Sequence, residues 1–202
     1  MSLLISAAYF PPVSLMAALA ACGEAEVEAW ESYPKQTYRN RALIMTAQGV
    51  WPLSVPVLWR NHMPMAEVAV DYRMRWPVVH LRTLEAAYAA SPFYLFYKDE
   101  LADLLSVRYD RLIDLDMATM RWLLSKMKID CRLSATADYR PADGSPADLR
   151  VAFSPKRPLP PELFPAYCQV FCDRQPFAPD LSALDLLMNL GPEAADYLKT
   201  IS

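Results

Sequence analysis

Two periods of hydrophobic and polar positions alternate along this chain. Leu3 to Phe10 is a short apolar run closed by Pro11-Pro12, as a buried strand should be. Val13 to Cys22 has the length and alanine content of a helix, and Gly23 is placed to end it. Glu26 to Trp30 then alternates acidic and apolar residues, so the three segments read as a β-α-β unit. Its loop from Tyr9 to Val13 falls at the carboxyl end of a strand, where open α/β sheets place ligands.

Residues 39–45 and 51–58 are two β-prone runs around a loop that contains Gly49, which predicts a hairpin, and Ala66 to Tyr72 alternates like a further strand. From Pro77 to Ala90 the period becomes helical, with His80, Leu84, Ala87 and Tyr88 on one face. A second helix is predicted over about 99–107. In the third, Ile113, Met117, Met120, Leu124 and Met127 form an apolar stripe, with Asp114, Asp116, Arg121 and Ser125 off it. Residues 138–165 carry seven of the 18 prolines and predict a loop or lid. Ser182 caps a leucine-rich helix from Ala183 to Leu190, with Gly191 at its end. The expected fold class is α/β or α+β. An N-terminal β-α-β unit is followed by a β-hairpin and a predominantly helical second half, in one domain over 1–202.

With 54% hydrophobic and 21% charged residues and a net charge of −3, the composition is that of a globular protein. There is no basic excess to attract nucleic acid or an anionic membrane. The two histidines, His62 and His80, exclude a His-rich metal centre, and the four cysteines show no zinc or redox spacing. Cys168 and Cys172 flank Gln169-Val170-Phe171, which predicts buried thiols in a reducing compartment. Leu19-Ala20-Ala21-Cys22 resembles a lipobox. However, the first basic residue is Lys35 and Pro11-Pro12 interrupts the apolar run, so the expectation is a cytoplasmic protein without a membrane span.

Three constellations could carry chemistry. Lys35, Arg39, Asn40 and Arg41 lie in one basic segment. On a strand Arg39 and Arg41 would share a face and hold a phosphate or carboxylate bidentately, or else form a solvated hairpin edge. His80 sits between core and cleft on its helix, as a general base or as a satisfied core histidine. Ser182, Asp185 and Asn189 recur at i, i+3 and i+7, suited to sugar hydroxyls or to capping.

The stretches LLISAAYFPPVSLMAAL, YPKQTYRNRALIMTAQGVWPLSVPV, WPVVHLRTLEAAYAASPFY and FAPDLSALDLLMNLGPEAADYL together resemble the WbqC-like family, in particular its shorter form common in Bacteroidetes. The matching positions are Tyr9, Pro11, Lys35, Arg39, Asn40, Arg41, His80, Ser182, Asp185, Asn189 and Gly191. This chain departs from the longer members at Ala7-Ala8, where they carry Gln-Pro. It departs from the short form at Glu28-Ala29-Trp30, where an acidic-histidine turn is expected.

The resemblance implies transfer of an acyl or aminoacyl group, of glycyl type, onto a sugar or glycan precursor of a surface polysaccharide such as O antigen. In that scheme Lys35, Arg39 and Arg41 hold an activated small-molecule donor and His80 is the base. Tyr9, Asn40, Ser182, Asp185 and Asn189 contact substrate, no metal takes part and no particular cofactor is specified. A non-catalytic module that binds a nucleotide-sugar or a glycan-assembly partner would use the same cations without a base.

Overall fold

The computed structural model describes residues 2–142 and 144–201. Strand β1 (Leu3–Ser6), helix α1 (Val13–Ala21) and strand β2 (Glu24–Glu28) form the expected crossover, and β1 runs parallel to β2 from Leu3 opposite Ala25 to Ser6 opposite Glu28. The strand is shorter than its apolar run. Ala7 to Phe10 leave the sheet as buried coil, with Phe10 at a φ of 41°. Pro12 offers α1 no side-chain cap. The Asp180 carboxylate serves instead, accepting from Ser14 N at 2.8 Å and Ser14 Oγ at 2.9 Å.

Strand β3 (Arg41–Thr46) pairs antiparallel with β4 (Gly49–Ser54), and Gly49 takes the positive φ of 103° that the turn requires. The alternation at 66–72 resolves into a 3-10 turn, Met65–Glu67, and a short β6 (Ala69–Val70) paired with β5 (Val57–Leu58). Then come α2 (Trp76–Tyr88), α3 (Tyr94–Ser106) and α4 (Leu112–Lys126). Strand β7 (Arg132–Ala135) lies beside β2 and completes a parallel sheet of order β1-β2-β7. The proline-rich stretch runs along the outer side of β1, where Leu4 N–H donates to Ala147 O at 2.9 Å and Leu149 N–H to Leu4 O at 2.8 Å.

Helices α5 (Ala183–Leu190) and α6 (Ala194–Leu198) close the fold. The predicted face of α2 is inside, with His80, Leu84, Ala87 and Tyr88 buried. Helix α4 buries its methionine stripe and a second face carrying Leu112, Leu115, Asp116, Thr119 and Leu123. Asp116 therefore lies in the interior, not on the solvent side that a single stripe implies. Helix α5 is enclosed on all sides from Ala183 to Asn189, which fits a segment with so few polar positions. No helix among the described residues is long and apolar enough to cross a membrane.

Candidate functional site

The loop after β1 meets the basic segment at one backbone bond, Tyr9 N–H to Tyr38 O at 2.9 Å. Tyr9 is fully buried and its hydroxyl lies 2.9 Å from Nδ1 of His80, while His80 Nε2 lies 3.2 Å from the Ser54 carbonyl oxygen. A carbonyl only accepts, so Nε2 carries the proton and Nδ1 accepts from the phenol. Burial lowers the His80 pKa from its ordinary 6.5 to about 4, with the Ser54 hydrogen bond a smaller opposing effect, so the ring is neutral. Both nitrogens are engaged. His80 ties the first loop to the hairpin and has no lone pair free for a substrate.

Arg39 does not share a strand face with Arg41, because β3 begins at Arg41 and Arg39 lies in the turn before it. Arg39 is buried. Its Nε and Nη2 reach Glu31 Oε1 at 2.9 and 2.6 Å, and Nη2 also reaches Ser6 Oγ at 2.6 Å at the end of β1. Arg150 comes to the same end of the sheet, bonded to Asp148 at 2.5 Å and lying 3.6 Å from the fully buried Glu28. Asn40 donates to the Val55 carbonyl at 3.1 Å, and the Lys35 ammonium stands 3.9 Å from the centre of the Trp59 ring. Arg41 differs from these. Among the described residues no carboxylate pairs with it, and its buried Nε has no hydrogen-bond partner. With Gln36, Tyr38 and Lys156 it lines a cavity of about 150 Å³. Among the described residues the Lys156 ammonium reaches only the Lys35 carbonyl, at 3.2 Å.

A wider cleft of about 700 Å³ opens beside this network, lined by Trp30, Glu31, Ser32, Tyr139, Asp148 and Arg150. Trp30 is 39% and Tyr139 56% exposed, so both rings can face a ligand. The wider cleft thus lies past the carboxyl ends of the parallel strands, and the smaller cavity lies beside the start of β3.

Residues 7–156 match the WbqC-like protein family, which is most of the chain. The chain belongs to that family. It is 29% identical over 197 residues to the uncharacterized protein Rv1507c of Mycobacterium tuberculosis, covering 83% of this chain and 84% of that protein. No solved structure matches it. The WbqC-like match includes Tyr9, the whole basic segment and His80, and it ends at Lys156.

The tail residues lie outside that match and face inward. Ser182 Oγ donates to Phe10 O at 2.9 Å and accepts from Leu184 N at 3.2 Å, capping α5 as expected. The Asp185 carboxylate accepts from Tyr88 Oη at 3.0 Å, Tyr167 Oη at 2.6 Å and Gln169 Nε2 at 2.9 Å. Asn189 donates to the Asp185 carbonyl at 2.8 Å. These side chains are buried and satisfied by protein, so they fasten the tail to the first loop and to α2.

Two residues of this WbqC-like chain were not legible as site candidates. Lys156 meets the basic segment from 121 positions away, which no local pattern shows. Asp116 is fully buried with neither carboxylate oxygen hydrogen-bonded, among the described residues. Burial holds its pKa well above the carboxylate range, with Arg39 opposing, and burial also raises the pKa of Tyr9 and Tyr33, to which the nearby Asp116 adds a smaller effect. Its signal in the sequence was an acid within an α4 run rich in Leu and Met, but one helical stripe was enough to assign it to the surface.

Proposed function

We propose that this WbqC-like protein is a cytoplasmic transferase that moves an activated acyl or aminoacyl group, of glycyl type, onto a sugar or glycan precursor of a surface polysaccharide. The observation that carries this reading is the meeting of Arg41 and Lys156, two cations without a carboxylate partner among the described residues, across one cavity. Such a pair suits the phosphate or carboxylate of an activated donor, and fixed positive charge there stabilises negative charge that develops on the leaving group. Arg39, already neutralised by Glu31, does not hold the donor but positions Glu31 at the edge of the cleft.

The acceptor sugar occupies the cleft between Trp30 and Tyr139. Aromatic faces cover the apolar face of a sugar ring there, and Glu31, Asp148 and Arg150 supply hydrogen-bonding partners. Residues 138–165 act as the lid over that cleft within one domain of 1–202. His80 positions Tyr9 and through it the basic segment, in place of acting as the base.

One observation favours a second reading, a binding protein without chemistry: both nitrogens of His80 are occupied. A single experiment addresses both. Thermal shifts are measured with sugar nucleotides, coenzyme A thioesters, nucleoside triphosphates and glycyl donors, for the wild type and an Arg41→Ala, Lys156→Ala variant. A stabilising donor is then incubated with amino and hydroxyl sugars and the products are weighed by mass spectrometry. A shift lost in the variant together with an acylated sugar supports the transferase. A shift without any product leaves the binding protein, and an unchanged shift in the variant overturns the assignment of the anion site.

A further inference from the structure

The four cysteines are free thiols, and the fold brings them into two close pairs. Cys22, just after α1, has its sulfur 3.6 Å from that of Cys131, which precedes β7. Cys168 and Cys172 have their sulfurs 3.2 Å apart on the turn between the proline-rich stretch and α5. The two pairs differ in access. Cys22 and Cys131 are half-buried, and burial, reinforced by the contact with Cys22, pushes the Cys131 thiol up to about 12. Cys168 and Cys172 are both exposed, in contrast to the buried thiols that the flanking aromatic run predicts. The backbone folds between them, with Cys172 N–H donating to Gln169 O at 3.0 Å, and this aims both side chains to one side of the turn.

The residue enclosed by that turn has a structural task. Gln169 is buried, its Nε2 donates to Asp185 at 2.9 Å and to Ala178 O at 3.0 Å, and its Oε1 accepts from Ala178 N at 3.0 Å. Next to Cys168, Tyr167 donates to the same carboxylate. The exposed thiols therefore bracket the anchor that fastens the 167–178 segment to α5.

We propose that Cys168 and Cys172 form a reversible dithiol–disulfide site that exchanges with a small-molecule disulfide of the glutathione class. The Cys168 thiolate attacks one sulfur of the small disulfide, forming a mixed disulfide and expelling one glutathione thiolate. Cys172, after losing its proton, then attacks the Cys168 sulfur and expels the second glutathione. Two protein thiols are oxidised to one disulfide, one small-molecule disulfide is reduced to two thiols, and the two protons pass to the glutathione thiolates. The contact with Cys168 raises the Cys172 thiol above its ordinary range, and the 3.2 Å separation of the sulfurs puts Cys172 within reach of the mixed disulfide. The ring that closes spans Gln169, so oxidation holds the Asp185 anchor in its bonded turn.

The test uses the native full-length chain in buffers of reduced and oxidised glutathione, read by intact mass and by peptide mapping. The expected product has lost two hydrogen atoms and carries a Cys168–Cys172 link. That link also forms in a Cys22→Ser, Cys131→Ser variant, and it forms about tenfold faster than any bond between Cys22 and Cys131. Cys168→Ser leaves one glutathione on Cys172 and no internal link. Both cysteines are exposed, so an unchanged thermal transition of the reduced variant shows that it is folded. Separate glutathione adducts on Cys168 and Cys172 without a link, or a link that forms only in denaturant, would overturn the proposal. Amide exchange over 167–178 slows on oxidation if the anchor is held, and unchanged exchange removes that consequence. Neither readout involves Arg41 or Lys156, so the disulfide site and the transferase reading fail independently.

Discussion

The hydroxyl of Tyr9 and the Nδ1 of His80 share a hydrogen bond of 2.9 Å that joins the loop after β1 to helix α2, across 71 positions of sequence. The opposite ring nitrogen is held by Ser54, so one imidazole connects the crossover loop, the hairpin and the helical half. A protonated ring could not accept from Tyr9, and this gives the connection a pH dependence.

His80 binds its proton at about 4 when folded and at 6.5 otherwise, so between these values the unfolded chain holds more protons and stability falls as the pH falls. The full contribution is about 3 kcal/mol. Asp180, raised to about 6, acts in the opposite sense, because the folded state gains its proton first and is favoured on acidification. The wild-type profile alone is therefore flattened. Chemical denaturation of the wild type and His80→Gln from pH 7 to pH 4 separates the two effects. The stability difference between the proteins should shift against the wild type as the pH drops. A constant difference would mean that His80 is not a buried neutral ring.

Asp116 is a buried carboxyl without a hydrogen bond among the described residues, so Asp116→Asn should raise stability at neutral pH by about 1–2 kcal/mol, or about 2–8 °C in Tm. Because the folded-state pKa is raised, the wild-type penalty grows as pH rises from the carboxylate range and disappears below it. Calorimetry at pH 7 and pH 4 should show the gain only at the higher value. A loss at pH 7 would reveal a hydrogen-bonded, structural carboxylate.

Arg39 and Glu31 are both largely buried, with side chains 10% and 15% exposed, and each leaves the other uncompensated when removed. Arg39→Ala and Glu31→Ala should each cost about 2–4 kcal/mol, and the double variant should cost clearly less than their sum. Additive losses in a double-mutant cycle would show that the pair is not coupled.

Gly191 ends α5 at a φ of 54°, and a Cβ there would stand 2.5 Å from the Phe93 ring. Gly191→Ala should cost about 2–4 kcal/mol, part from the left-handed backbone and part from displacing the ring. The double variant Gly191→Ala, Phe93→Ala should recover the steric part, and failure to do so would place the whole cost in the backbone.

By itself the sequence determined what depends on neighbours along the chain. The crossover from β1 through α1 to β2, the turn at Gly49, the buried face of α2 and the limits of α5 all follow from hydrophobic period, proline and glycine, which act over a few residues. The helix over 99–107 was found short because α3 begins at Tyr94, where an exposed Leu95 and Phe96 blur the period.

Tertiary structure decided the rest. Strand β7 has only the four residues Arg132–Ala135 and joins a partner more than 100 positions earlier, so nothing local marks it. The same holds for the candidate site. Lys35, Arg39 and Arg41 look alike in one basic segment, yet Trp59 covers the first, Glu31 neutralises the second and, among the described residues, the third keeps an open charge beside Lys156. Charge is a property of a residue, but its availability depends on which distant groups the fold sets against it. Pairing in space, not spacing in sequence, divides these residues into anchors and ligand-facing groups.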